Sequence, residues 1–116
     1  MIAGIFAISA AASRARTRFA YKKAIEWSKN YKEFIKRAVF SLMAYLAVYD
    51  KKAFDKEFAK FLSAIKTAAT DDRNFVKKAV NWALRQIGKR SIELNRESIE
   101  TAKEIQKKSI LRVLNG

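Results

Sequence analysis

The 116-residue chain has no cysteine, no histidine and no proline, and its three glycines are Gly4, Gly88 and Gly116. Each absence excludes something. Without Cys there is no disulfide framework, no thiolate nucleophile and no sulfur-based zinc site. Without His the usual general base, the commonest metal ligand and every His-containing triad are gone. Any chemistry would rest on carboxylates, Lys, Tyr or Ser/Thr, and no cofactor or metal is expected. With so little turn punctuation, and with Ala, Lys, Ile, Leu, Glu and Arg abundant, the chain reads as all-α with short connections.

Acid is the other scarcity. Twenty-five Lys and Arg face 11 Asp and Glu, a formal charge of +14. That surplus points to a polyanionic partner, nucleic acid first and an anionic membrane surface second. Half of the residues are apolar, enough for one modest core in one domain. The opening stretch, MIAGIFAISAAAS, is too short to cross a bilayer, which needs about 20 apolar residues. It is also a poor signal peptide, because no cation precedes it and Arg14, Arg16 and Arg18 follow it. AVFSLMAYLAVY, Ala38 to Tyr49, is uncharged too, but at that length it reads as a buried helix. The amphipathic segments carry aromatic core stripes rather than a Lys-rich interfacial face. The expectation is a soluble, cytoplasmic protein with no membrane partner.

Apolar spacing predicts helices over Phe19–Lys29, Lys32–Asp50, Phe54–Ala69, Arg73–Ile87 and Asn95–Leu114. Asp71 and Asp72 are the expected N-cap of the fourth, and Gly88 its stop signal. Asn95 is the expected cap of the fifth, with Leu94 and Ile99 as a hydrophobic staple. An internal repeat runs through this pattern. FIKRAVFSLMAYL aligns under FVKKAVNWALRQI at a constant offset of 41 residues. Phe34 meets Phe75, Ile35 meets Val76, Lys36 meets Lys77, Arg37 meets Lys78, Ala38 meets Ala79 and Val39 meets Val80. Helix pairs recurring at roughly 40–47 residues are the signature of HEAT-like and armadillo-like solenoids. The prediction is a HEAT-like α-solenoid of about two and a half repeats over 19–116, incomplete at both ends, after an atypical segment 1–18. Ile110, Leu111, Val113 and Leu114 are left uncovered, so homo-oligomers through exposed solenoid ends are one expected outcome.

Stacked repeats would bring Lys36 and Arg37 beside Lys77 and Lys78, with Arg73, Arg85, Lys89 and Arg90 extending the same side. Such a stripe suits a nucleic-acid backbone, although a solvated solenoid surface carries the same residues. Within NFVKKAVNWALRQIGKRS, the residues Val76, Val80, Ala83, Leu84 and Ile87 form one apolar stripe. Trp82 falls nearly opposite, with Lys78, Arg85 and Lys89. It either packs against an adjacent repeat or stacks on a ligand base.

FVKKAVNWALRQIGKRS closely resembles the signature helix of the DNA alkylation repair family, the AlkD-type HEAT-like glycosylases. FAYKKAIEWSKN, EFIKRAVFSLMAYLAVYDKKA and LNRESIETAKEIQKKS resemble the same family in the same order, over about Phe19 to Lys108. The resemblance implies excision of cationic N-alkylated purines from double-stranded DNA held on a basic concave face. It places Trp82 at the lesion-facing tryptophan and Arg37 at a backbone-contacting arginine. Lys36, Lys77, Lys78, Arg85 and Lys89 join them as expected DNA contacts. The family's catalytic aspartate, which stabilises an oxocarbenium-like transition state, lies in a Trp-rich upstream segment. Residues 1–18 hold no Asp, Glu or Trp, so no catalytic residue is assigned, and the chain alone is expected to be inactive. A non-catalytic helical scaffold for protein association is the alternative.

Overall fold

A computed structural model describes residues 18–115. These residues form five helices and no strand: α1 (18–27), α2 (Glu33–Tyr49), α3 (Asp55–Ala68), α4 (Asn74–Gly88) and α5 (Ile92–Asn115). The expectations for 1–18 lie outside the described residues, except that Arg18 is already helical.

The first four helices fall within two residues of their predicted limits. The fifth begins three residues earlier than predicted, because its cap is Ser91 rather than Asn95. Ser91 Oγ accepts the Leu94 N–H at 3.1 Å and donates to the Asp55 carboxylate at 2.8 Å. Asn95 instead sends its Nδ2–H to the Gly88 carbonyl at 3.0 Å. Leu94 is buried in the core and Ile99 is exposed, so no staple forms. The α4 cap also differs. The N-cap residue is Arg73, with no side-chain bond to the first turn. Asp71 accepts the N–H of Arg73 itself, at 3.1 Å. Gly88 is the last residue inside α4, and none of the described glycines has a positive φ. Its value is in close approach: a Cβ there would stand 3.3 Å from Ser98 Cβ of α5.

The helices lie in two layers. α2 packs along α4, while α3 contacts α5, which also meets α4. Tyr21 of α1 joins α3, its ring stacked on Phe61 at 5.3 Å and edge-on to Phe58 at 5.6 Å. The second helices of the pairs therefore form one layer and the first helices the other. Phe40, Met43, Phe58, Phe61, Ile65, Val76, Ile87 and Leu94 are fully buried between them. Each such side chain contributes about 1.5–3 kcal/mol relative to exposure.

The 41-residue repeat is written into this burial. In α4, Val76, Ala79 and Ala83 are buried, but their counterparts Ile35, Ala38 and Leu42 are half-buried or exposed. In α2, Phe40 and Ala44 are buried, but Asn81 and Arg85 are exposed. Two equivalent helices side by side give this result: each is covered on the flank where the other lies.

Arg90 locks that arrangement. Its Nη1 donates to the carbonyls of Ala47 at 3.0 Å and Asp50 at 2.7 Å, and its Nη2 to that of Ala53 at 3.1 Å. The guanidinium also sits 4.1 Å from the Phe58 ring centroid. It thus satisfies carbonyls left without partners where α2 ends. Beside it, the Tyr21 hydroxyl donates to Asp50 at 2.9 Å. Burial, and then that bond, hold the Tyr21 pKa well above its ordinary value, so it remains a donor. Arg90→Ala should therefore cost about 2–4 kcal/mol in urea unfolding, since charge-assisted bonds are lost and buried carbonyls are stranded. Arg90→Lys should recover less than half, because an ammonium cannot span the same fork. A loss under 1 kcal/mol for Arg90→Ala would remove the clasp from the account of stability.

Candidate nucleic-acid interface

The register between α2 and α4 decides which basic residues meet. At the N-terminal ends, Lys36 Nζ pairs with Asp71 Oδ2 at 3.2 Å, and Arg73 donates to the Tyr31 carbonyl at 2.9 Å. At the C-terminal ends, Arg90 grips Ala47 and Asp50. The two helices are thus parallel, their N-terminal ends together and their C-terminal ends together.

Along α4 and into its C-cap, Phe75, Lys78, Trp82, Arg85 and Lys89 recur at i, i+3, i+7, i+10 and i+14, which places them on one face. All five are exposed. Trp82 is 39 % exposed, so it is partly covered but not fully buried between repeats. Arg37 reaches this face from α2. Its guanidinium stands 4.8 Å from the centroid of the Phe75 ring, and Lys78 Nζ stands 5.8 Å from the same point. Among the described residues, Arg37, Lys78, Arg85 and Lys89 pair with no carboxylate.

Lys36 and Lys77 are placed differently. Each precedes its neighbour on the stripe by one residue, which turns it roughly 100° away on the helix. Lys36 is partly buried against Asp71 and holds α2 to the start of α4. Lys77 lies 4.0 Å from Asp72 on the surface. Arg73 and Arg90, expected to extend the stripe, do not. Arg73 is held by Asp71 at 2.6 Å and by Tyr31, and Arg90 is the clasp. The controlling residue that sequence reasoning missed is Asp71, first read as a helix cap. The Arg73 side-chain bond, with help from Lys36, holds its carboxyl well below the ordinary range.

The described residues thus define a two-layer helical repeat with one cationic, aromatic-bearing face, a class in which binding surfaces lie along stacked helices. The sequence model of the family described as DNA alkylation repair enzyme matches residues 7–113, and the chain belongs to that family. Comparison with curated proteins and with solved structures finds no match. Among the described residues, no group of His, Cys, Asp or Glu could hold a metal ion, and no helix is long and apolar enough to cross a membrane.

The pKa shift of Asp71 has a testable sign. Its carboxyl ionises more readily folded than unfolded, so its contribution is complete above the unfolded value of about 4 and is lost as pH falls through the folded value. Asp71→Asn should cost about 1–3 kcal/mol at pH 7 through lost charge-assisted bonds. The gap from wild type should narrow steadily below about pH 4. Urea unfolding at several pH values measures it, and an equal gap at pH 3 and pH 7 would contradict the assignment.

Proposed function

We propose that the chain binds double-stranded DNA through the α2–α4 face, with Arg37, Lys78, Arg85 and Lys89 on phosphates and Trp82 at the damaged nucleotide. The supporting observation is the single exposed stripe of cations around Trp82, in a chain of the DNA alkylation repair family. Lys36 and Lys77 belong to the margin of this surface: the first is engaged by Asp71, the second lies near Asp72.

The same reading assigns little or no base excision to the chain alone. Departure of a cationic purine needs a carboxylate near the sugar, where its charge stabilises the developing oxocarbenium ion. The stripe of Phe75, Lys78, Trp82, Arg85 and Lys89 contains none, and neither do its α2 counterparts Phe34, Arg37, Ser41, Ala44 and Val48. Asp50, Asp55 and Asp71 are engaged in structural bonds with Tyr21, Ser91 and Arg73.

Duplex affinity should fall steeply with salt, with a log–log slope of roughly −3 to −4 for about four phosphate contacts. Trp82→Ala should leave plain duplex within about twofold and reduce any preference for abasic or alkylated duplex by roughly tenfold, as base–aromatic stacking is worth about 1–3 kcal/mol. Fluorescence anisotropy across a salt series reads both. Salt-independent binding sinks the interface, and equal behaviour of both proteins on both duplexes sinks the role of Trp82.

One observation favours the scaffold reading. Ile110, Leu111, Val113 and Leu114 are all exposed on α5, as are Tyr45 and Tyr49 on α2. Such apolar surface suits association between proteins. Sedimentation measures this: concentration-dependent assembly that disappears in Leu111→Glu would favour it, and a monomer throughout would discard self-association.

A further inference from the structure

Phe75 is half exposed, although it belongs neither to the core nor to the capping of α4. Two cations stand within reach of its ring, the Arg37 guanidinium at 4.8 Å and the Lys78 ammonium at 5.8 Å from its centroid. Those cations are not an arbitrary pair. Arg37 and Lys78 hold the same position in successive repeats, 41 residues apart. The ring that joins them belongs to the second repeat, and among the described residues no cation stands over its counterpart, Phe34.

The neighbouring position shows the other way to hold a cation. Lys36 is fixed by the Asp71 carboxylate at 3.2 Å. That contact orders the lysine but cancels its charge, which weakens any attraction to phosphate. An aromatic ring orders a cation through its quadrupole and leaves the full positive charge in place. A long side chain ordered beforehand also loses less rotamer freedom when it meets its ligand. In α2, Lys36 is thus neutralised by an ion pair, whereas Arg37 beside it stands over an aromatic ring with its charge intact.

We propose that Phe75 is a positioning residue that brackets Arg37 and Lys78 at a fixed separation, ready for successive phosphates of a DNA backbone. The proposal rests on reading the α2–α4 face as a duplex-binding surface. Its ligand is the phosphodiester backbone, so it favours no base sequence.

The test uses the full chain and two substitutions of a half-exposed residue, one of them made in two backgrounds. Phe75→Tyr keeps the π face, Phe75→Leu keeps apolar bulk without it, and Phe75→Leu is repeated in an Arg37→Gln, Lys78→Gln background. Binding to a plain duplex is measured across a salt series, and the Arg37 side-chain proton resonances are followed by NMR in the free protein. Expected results are an Arg37 side chain shifted by the ring current in the wild type and near its ordinary position in Phe75→Leu. Affinity should fall roughly three- to tenfold in Phe75→Leu and stay within about twofold in Phe75→Tyr. The salt slope should hold in Phe75→Leu, because no charge is removed, and Phe75→Leu should add nothing in the Arg37→Gln, Lys78→Gln background. An equal loss in that background would mean that Phe75 acts apart from the two cations, and would overturn the proposal. So would Phe75→Leu binding like wild type, or an unshifted Arg37. These outcomes leave the interface reading intact. Absence of salt-dependent duplex affinity in the wild type would overturn both, and so separates the two failures.

Discussion

The α2–α4 face depends on the register between the two helices, and Arg90 is the interaction that sets it most directly. A helix ending in a protein interior strands its last carbonyls. Here a guanidinium from the far end of the next repeat satisfies the carbonyls of Ala47, Asp50 and Ala53 together. Its fork fits several acceptors at once, and its face lies on Phe58 of the other layer. One side chain thereby ties α2, the α2–α3 turn, α3 and the end of α4. With the Lys36–Asp71 pair at the opposite end, the two helices are parallel and cannot slide. Only then do positions 41 residues apart come side by side.

That register sorts a surplus of positive charge into different roles. The formal charge of +14 invites reading every Lys and Arg as a contact for a polyanion. Geometry divides them. Arg90 and Arg73 spend their donors on carbonyls and on Asp71, and Lys36 is neutralised by the same carboxylate. Arg37, Lys78, Arg85 and Lys89 keep their charge unpaired among the described residues and share a face with Trp82. Four such cations are gathered around one tryptophan, while others without a carboxylate partner among the described residues, such as Lys29, Lys52 and Arg96, lie exposed elsewhere.

How much of this was legible without coordinates depended on the range of the deciding interaction. Helix positions and the 41-residue offset rest on local apolar periodicity, and α2 and α4 fall within one residue of their predicted limits. The spacing also set Trp82 opposite Val76, Val80 and Ala83, and it is exposed. The start of α5 was misread because Ser91 and Asn95 are both capping residues four positions apart. The choice was made by Asp55, 36 residues earlier in the chain. Arg90 was misread for the same reason: its acceptors lie 37 to 43 residues away. An arginine aimed at phosphate and one aimed at a distant carbonyl have identical local sequence.

The division of charge bears on the difference between holding DNA and cutting out a base. Phosphate binding needs only cations that remain unpaired and roughly placed, because the backbone is uniform and the force is long-ranged. Departure of a base needs negative charge at one point, near the sugar, in a position fixed to a fraction of an ångström. In this chain acids are scarce, and Asp50, Asp55 and Asp71 are consumed by the fold as acceptors for Tyr21, Ser91, Arg73 and Lys36. Releasing Asp71 for chemistry would free Lys36 but loosen the start of α4, the turn that carries Phe75. Asp71, the carboxylate that helps to set the register, is thus held by Lys36 and Arg73 and does not stand free on the α2–α4 face.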